Sequence, residues 1–400
     1  MISPRVRAAL AYMAAYAAVG SMLPYLPLYY RSLGFNLAEV GSILALGALV
    51  GLLASPSWGA LSDRMRGSPI VLVAAVGTAL AGTALLSLSS LPLAVLAGAA
   101  LLGAGIGGFN PIIDARALET VGTDRARFGP LRAWGSFSYI IAVLASGFAV
   151  ERFGLRSVFV SLTITLLATG VVALALRPVG DRPVRATSPL RDAGRLFGRR
   201  GLGVFLLGAF LTWLGMSAVL TYTPIRFTEL GAGASIVGLG GAIAAGTEVP
   251  LMLRFPALAA RWGSHRLLIA GSVFTAARAV VAAFATDPAV LLAASVFGGL
   301  GYAFFAIGGT TYVSEHVPPQ LAATAQGIFQ GVGNSLAQVT AALAGGAVAA
   351  LAGVVGLFAI SAVVGISAAL ILWLAMRRGV EGAAGGTAGA AGAAGLPYRA

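Results

Sequence analysis

Tyr25-Leu-Pro-Leu-Tyr-Tyr-Arg-Ser-Leu-Gly34 returns as Tyr222-Thr-Pro-Ile-Arg-Phe-Thr-Glu-Leu-Gly231, an offset of 222 − 25 = 197 residues. The same offset carries Val40-Gly41 onto Val237-Gly238 and Ala60-Leu61-x-x-Arg64 onto Ala257-Leu258-x-x-Arg261. The chain is therefore two copies of one unit. Each copy is almost wholly apolar, which predicts two related helical halves in a membrane rather than stacked soluble modules, with any site between the halves.

Composition agrees. With 58% hydrophobic and 10% charged residues and a mean hydropathy of +0.92, the 400-residue chain has too little polar surface for a soluble globule. Apolar stretches near the ~20 residues that one crossing needs recur throughout. About twelve are legible, near 6–30, 38–60, 70–90, 92–116, 131–150, 155–176, 202–226, 235–257, 266–285, 289–313, 321–346 and 352–376. Abundant Ala and Gly suit close helix packing and not the alternation of a membrane barrel. The fold class expected is an all-α membrane protein of twelve transmembrane helices in two six-helix halves. The N-terminal half is 1–176, a cytoplasmic linker rich in Pro and Arg spans 177–201, the C-terminal half is 202–378, and a Gly/Ala tail without periodicity, expected to be disordered, covers 379–400.

A net charge of +13 would ordinarily raise nucleic-acid binding, but the arginines mark topology instead. With the N-terminus inside, Arg5, Arg7, Arg64, Arg66, Arg125, Arg127, Arg261, Arg266, Arg377, Arg378 and the arginines of the linker all fall on the cytoplasmic side. Both termini are expected there, in the cytoplasmic membrane. No basic stripe with interleaved aromatics points to nucleic acid. The chain has no cysteine and only His265 and His316, without clustered carboxylates, so neither a metal site nor a nucleophilic triad is expected. No cofactor is implied, and the chain does not read as an enzyme. Gly103-x-Gly105-x-Gly107-Gly108 lies inside an apolar span with no strand before it, so it reads as helix packing or a bendable segment, not a phosphate loop. Gly298, Gly299 and Gly301 recur in the tenth span and read as packing glycines or as part of a moving gate helix.

Ionisable groups at membrane depth cost about 2.5–3.5 kcal/mol each on insertion scales and usually face an interior cavity. Asp114 in the fourth span, Arg132 in the fifth, Glu248 in the eighth and Arg278 in the ninth are the candidates, and their charges sum to zero. Protonating either carboxylate would leave a positive site that favours an anionic solute. Asp114 and Arg132 also read as interfacial residues closing the loop between their helices. Gln326, Gln330, Asn334 and Gln338 recur at four-residue steps and form one polar stripe on the eleventh helix, lining a wet cavity or bonding to neighbouring helices. Tyr12 and Tyr16, with Trp213, Thr221 and Tyr222, form a candidate aromatic wall.

Gly59-Ala-Leu-Ser-Asp63-Arg64-Met-Arg66-Gly67 resembles the loop motif between helices two and three of the major facilitator superfamily. Gly20-Ser-Met-Leu-Pro24-Tyr-Leu-Pro27 and Phe128-Gly-Pro-Leu-Arg132-Ala-Trp134-Gly135-Ser136 look most like its lactose permease and phenylpropionic acid transporter group. The resemblance implies that Asp114 and Arg132, 132 − 114 = 18 residues apart, match a substrate-binding carboxylate and arginine. The His and Glu that the lactose permease uses for proton coupling in helix ten are replaced by Gly298 and Gly301, while Thr247-Glu248-Val249 resembles a Glu-Val pair of the phenylpropionic acid relatives, so the resemblance makes Glu248 the first choice of proton carrier and Asp114 the second. Gly59, Asp63, Arg64 and Arg66 would form a cytoplasmic gate. The expected function is secondary active transport of a small organic solute, as a monomer in the lipid bilayer and coupled to protons. The alternatives are a proton-driven drug exporter of the same fold or a non-transporting receptor or assembly protein.

Overall fold

The computed structural model describes residues 3–121, 128–176, 200–317 and 321–392. Among these the chain is helical, and eleven helices are long and apolar enough to cross a membrane. Helix α1 (Pro4–Met22) starts where Ser3 caps and Pro4 presets the first turn, and after a break at residues 23–25 it continues as α2 (Leu26–Ser32). Next come α3 (Leu37–Arg64), α4 (Pro69–Leu88), α5 (Pro92–Ile106) and α6 (Phe109–Val121). The Gly107-Gly108 break between α5 and α6 lies inside one membrane-length span, Pro92–Val121, where the sequence predicts either packing or bending. Both occur, since Gly51 stands so close to α5 that a Cβ would lie 2.8 Å from the Gly103 carbonyl oxygen.

The chain goes on through α7 (Phe128–Phe153), α8 (Ser157–Ala175), α9 (Arg200–Glu229), α10 (Ala234–Trp262), α11 (Ser264–Phe284) and α12 (Pro288–His316). The last stretch is α13 (Ala322–Ile328), a π-helical segment (Phe329–Ser335) and α14 (Leu336–Gly392). Its apolar run of 51 residues, Ala325–Ala375, far exceeds the ~20 of one crossing, and the helix is broken at Gly353 (φ 72, ψ 170). Helical backbone continues through Gly392, beyond the point where the sequence predicts an aperiodic tail. Glycine is the commonest residue there and alanine the next, so the helix runs on against the weak helix propensity of glycine. The linker residues 177–199 and the tail residues 393–400 lie outside the described residues.

Helix pairings repeat along the chain. In the first copy α1 packs on α7 and α8, α3 and α4 on α5, and α4 on α8; in the second, α9 packs on α14, α10 and α11 on α12, and α11 on α14. The copies join where α7 meets α10 and α3 meets α14. Large apolar side chains such as Phe148, Val160, Ile164 and Val171 stand outward, as a lipid-facing surface requires. Tyr12, Tyr25 and Tyr222 are fully buried inside.

At the two crossings the quoted repeat meets itself. The Tyr25 hydroxyl donates to the Val143 carbonyl at 2.7 Å, and that of Tyr222 to the Ala342 carbonyl at 2.8 Å. A Cβ on Gly238 would lie 2.6 Å from the Tyr25 hydroxyl, and one on Gly41 would lie 2.7 Å from the Tyr222 hydroxyl. Each tyrosine thus fills the space left by the other copy's glycine. Helix starts near these crossings are capped differently. Asn36 and Glu39 cap α3 from within its own sequence, whereas α10 has Gly233 at its N-cap and its Ser235 amide donates to Glu151 of α7 at 2.7 Å. At the opposite end α6 packs on α1, α3, α4 and α7, and α13 on α12 and the π segment, each within its own copy.

Two outcomes follow from this packing. The protein has no cysteine, so a single cysteine replacing the fully buried Val143 reports on the crossing. It is expected to stay protected from a maleimide in the parent and to be labelled in Gly238→Leu; equal protection in both would refute the close-packing account. Glu151→Ala removes the cap on α10 and is expected to lower the melting temperature in detergent, an effect that Gly233→Asn, which supplies a local cap, should partly restore.

Candidate functional site

The four membrane-depth charges come from four different helices, and tyrosines link them. Asp114, on the first turns of α6, accepts a hydrogen bond of 2.6 Å from the Tyr12 hydroxyl of α1. Arg132, on the first turns of α7, keeps an exposed side chain and donates to the Tyr16 hydroxyl at 3.1 Å. Tyr12 and Tyr16 lie four residues apart on one face of α1, so the acidic and basic residues are held side by side by consecutive turns of that helix.

Glu248 is half-buried on α10, just before Pro250, whose missing amide leaves the helical ladder open there. Its carboxylate lies within the electrostatic field of Arg132, in the other copy of the repeat. Tyr16 feels Arg132, Asp114 and Glu248, and Tyr302 of α12 feels Glu248, Arg132 and Tyr16. Tyr139 of α7 feels both Glu248 and Arg278. Arg278 is 8% exposed on α11, with its guanidinium laid over Gly298 of α12. The sequence predicts packing glycines in α12, and Gly299 and Gly301 do pack, against Thr247 and Thr275 of neighbouring helices. Gly298 differs, since a Cβ there would lie 2.6 Å from Nη1 of Arg278.

Asp114, Arg132 and Glu248 therefore share one electrostatic neighbourhood, and Arg278 joins it through Tyr139. Such a cluster can bind a polar solute through charge-assisted hydrogen bonds and move a proton on a carboxylate. Tyr139 and Tyr302 are the residues that sequence reading missed. A phenol in an apolar helix looks like packing until the opposite helix is placed.

The polar stripe divides. Gln326 donates from Nε2 to the Thr310 carbonyl at 2.7 Å, a bond between helices, and Gln338 donates to Asn334 Oδ1 at 2.7 Å. Gln330 is exposed. The four-residue steps run through the π segment, a form that clusters at functional sites. Of the aromatic wall, Trp213 is buried edge-on to Tyr302, with ring centroids 5.6 Å apart, and its indole N–H has no partner among the described residues. Tyr222 serves the helix crossing instead.

Asp63, Arg64 and Arg66, expected from the sequence to form a gate, are exposed at the end of α3, and Gly59 sits one turn earlier beside Pro111. The turn bends through Arg66 (φ 47) and Gly67 (φ 69), conformations in which glycine is at ease. Arg116 of α6, which the sequence analysis does not single out, is 4% exposed, donates to the Gly67 carbonyl and pairs with Glu119 at 2.7 Å. It ties the gate turn to the helix that carries Asp114. Among the described residues no group of three or more His, Asp or Glu side chains is placed to hold a metal ion.

Known proteins resemble the chain in sequence and in fold. The model of the MFS_1 like family matches residues 6–360. The maltose permease of Geobacillus stearothermophilus is 28% identical over 340 residues, covering 84% of this chain and 85% of that protein. The multidrug resistance protein MdtG of Dickeya zeae is 27% identical over 387 residues, 90% of this chain and 91% of that one. The crystal structure of the nucleoside transporter NupG superposes with a TM-score of 0.78 at 18% identity, covering 94% of this chain and 99% of that chain. The repeat, the apolar helices and these likenesses together place the chain in the MFS_1 like family of major facilitator transporters, as a multi-pass membrane protein.

Proposed function

We propose that the chain is a proton-linked importer of a small organic solute, working by alternating access across the cytoplasmic membrane. Counting the run broken at Gly353 as two crossings gives twelve, six in each half, with the linker and both termini cytoplasmic. The observation that carries the reading is that Glu248 lies within the electrostatic reach of Arg132, which belongs to the other copy of the repeat. A solute seated between them touches both halves, so its binding alters how the halves rock.

Glu248 is the proton carrier in this reading. It makes no hydrogen bond or ion pair with a described residue, whereas Asp114 is held by Tyr12. A protonated Glu248 releases Arg132 from a competing negative charge and frees it for the solute, so proton and solute favour each other. Asp114 and Arg132 orient the solute, and Gln330 and Asn334 border its path. Asp63, Arg64 and Arg66, on the turn that Arg116 anchors, close the cytoplasmic side. The maltose permease likeness supports uptake of a polar solute. The MdtG likeness supports the second reading, drug export.

Proteoliposomes with an imposed pH gradient separate the two. Glu248→Gln is expected to slow gradient-driven uptake about 100-fold, at the lower end of what a positioned proton-transfer group contributes. Solute counterflow, which needs no net proton movement, should persist. Wild-type gradient-driven uptake in that variant would remove Glu248 from the mechanism. Proton-coupled movement of lipophilic dyes with no response to polar solutes would favour export.

A further inference from the structure

Two arginines are buried among the described residues, and they differ in one respect. Arg116 donates to the Gly67 carbonyl and pairs with Glu119. Arg278, halfway along α11, makes no hydrogen bond or ion pair with any described residue. A guanidinium carries five N–H donors and stays charged at any pH a cell meets. The residue is 8% exposed, and none of its nitrogens is both sealed from solvent and without a partner. An unpaired charge at membrane depth is the costliest group a helix can retain, and its donors define a place for an anion.

The surroundings shape that place. Gly298 is the floor under the guanidinium, where a Cβ would lie 2.6 Å from Nη1 and 2.9 Å from Cζ. Its neighbours Gly299 and Gly301 face threonines and helix backbone, so Gly298 alone of the three makes room for a charged group. The charged or titratable group that acts on Arg278 directly is Tyr139 on α7, and Tyr139 also feels Glu248 on α10, which in turn feels Arg132 on α7; Tyr302 on α12 and Tyr16 feel Glu248 and Arg132, and Tyr16 feels Asp114.

We infer that Arg278 receives a carboxylate of the transported solute, and that the solute is a monocarboxylate whose body reaches across to the phenols of Tyr139 and Tyr302. The inference rests on the transport reading and names its solute class. One guanidinium matches one carboxylate in a forked geometry, while a dianion would bring its second charge against Glu248. Arg132 is the poorer receiver because Tyr16 already accepts from it and Asp114 stands beside it. A proton on Glu248 removes the negative charge that Tyr139 feels together with Arg278. One proton and one anion therefore enter together, and the loaded site has the same net charge as the empty one.

Thermal stabilisation of the purified protein tests this with benzoate, 3-phenylpropionate and gluconate against benzamide, 3-phenylpropionamide and glucose, and with maltose. At least one acid is expected to stabilise the parent while its neutral partner does not. Arg278→Gln should weaken that acid about 100-fold, the loss of a bidentate charge-assisted pair. Gly298→Ala, which keeps the charge but displaces it, should weaken it about tenfold by tilting the fork. Should Arg278→Gln fail to fold, Arg278→Lys and Gly298→Ala carry the comparison. Equal binding of acids to the parent and these variants, equal binding of acids and their neutral partners, or no binding by any acid would each overturn the inference. Maltose-driven proton uptake that no acid inhibits would also overturn it while sparing the transport reading. Acid binding at Arg278 without solute-driven proton flux would fault the transport reading and leave the carboxylate subsite standing.

Discussion

The two crossings at Gly41 and Gly238 are the constraint on which the remaining structure depends. Between helices in lipid no hydrophobic drive exists, so association comes from close contact and from satisfied polar groups. Here both act at one point. Each glycine removes the side chain that would keep the copies apart, and each buried tyrosine fills the gap while donating to a carbonyl of its own copy. The hydroxyl is satisfied within one copy and the packing is made by the other. The contact between copies is therefore one of shape, without a hydrogen bond that must break when they part.

That division bears on movement. The Glu151 bond to Ser235 is the exception, a polar tie from α7 to the start of α10. Its absence at the related α3 start, where Asn36 and Glu39 complete the cap locally, leaves the two interfaces unequal. Opening that end costs α10 its cap and costs α3 nothing of the kind. One crossing is thus a plain contact and the other carries a directional bias toward the closed arrangement.

The architecture was legible because a duplicated membrane scaffold repeats what builds it. Tyr25 and Tyr222, Gly41 and Gly238, and Arg64 and Arg261 stand at one offset, and apolar runs of membrane length are hard to mistake. The charges were legible for the opposite reason, as costly exceptions in apolar helices. Partnership between helices was not legible. Tyr139 and Tyr302 matter because of what stands across from them, and Arg116 because Gly67 turns its carbonyl toward it. The π segment was equally hidden. Its side chains keep a regular four-residue spacing, and only the backbone bonds reveal the change of ladder. Gly298 was read as one packing glycine among three, because sequence distinguishes a small residue but not the neighbour it makes room for.

The repeat also explains why the site exists once. At the same offset Glu248 falls on Gly51, Arg132 on Phe329, Arg278 on Ala81 and Asp114 on Thr311. Gly51 lies against the α5 backbone, where a Cβ would stand 2.8 Å from the Gly103 oxygen, so no carboxylate fits there. Phe329 is fully buried and stacks on Phe205 at 5.8 Å between centroids, and Ala81 is exposed on the outer part of α4. Positions that carry charge in one copy are thus used for packing or surface in the other. A pair of equivalent sites would hold two cavities with doubled charge, and each would carry its own desolvation cost. A single site built from unlike residues keeps one set of charges near balance and lets a scaffold with two similar interfaces respond to a single solute. Symmetry serves the motion of the helices, and its local loss makes the chemistry possible.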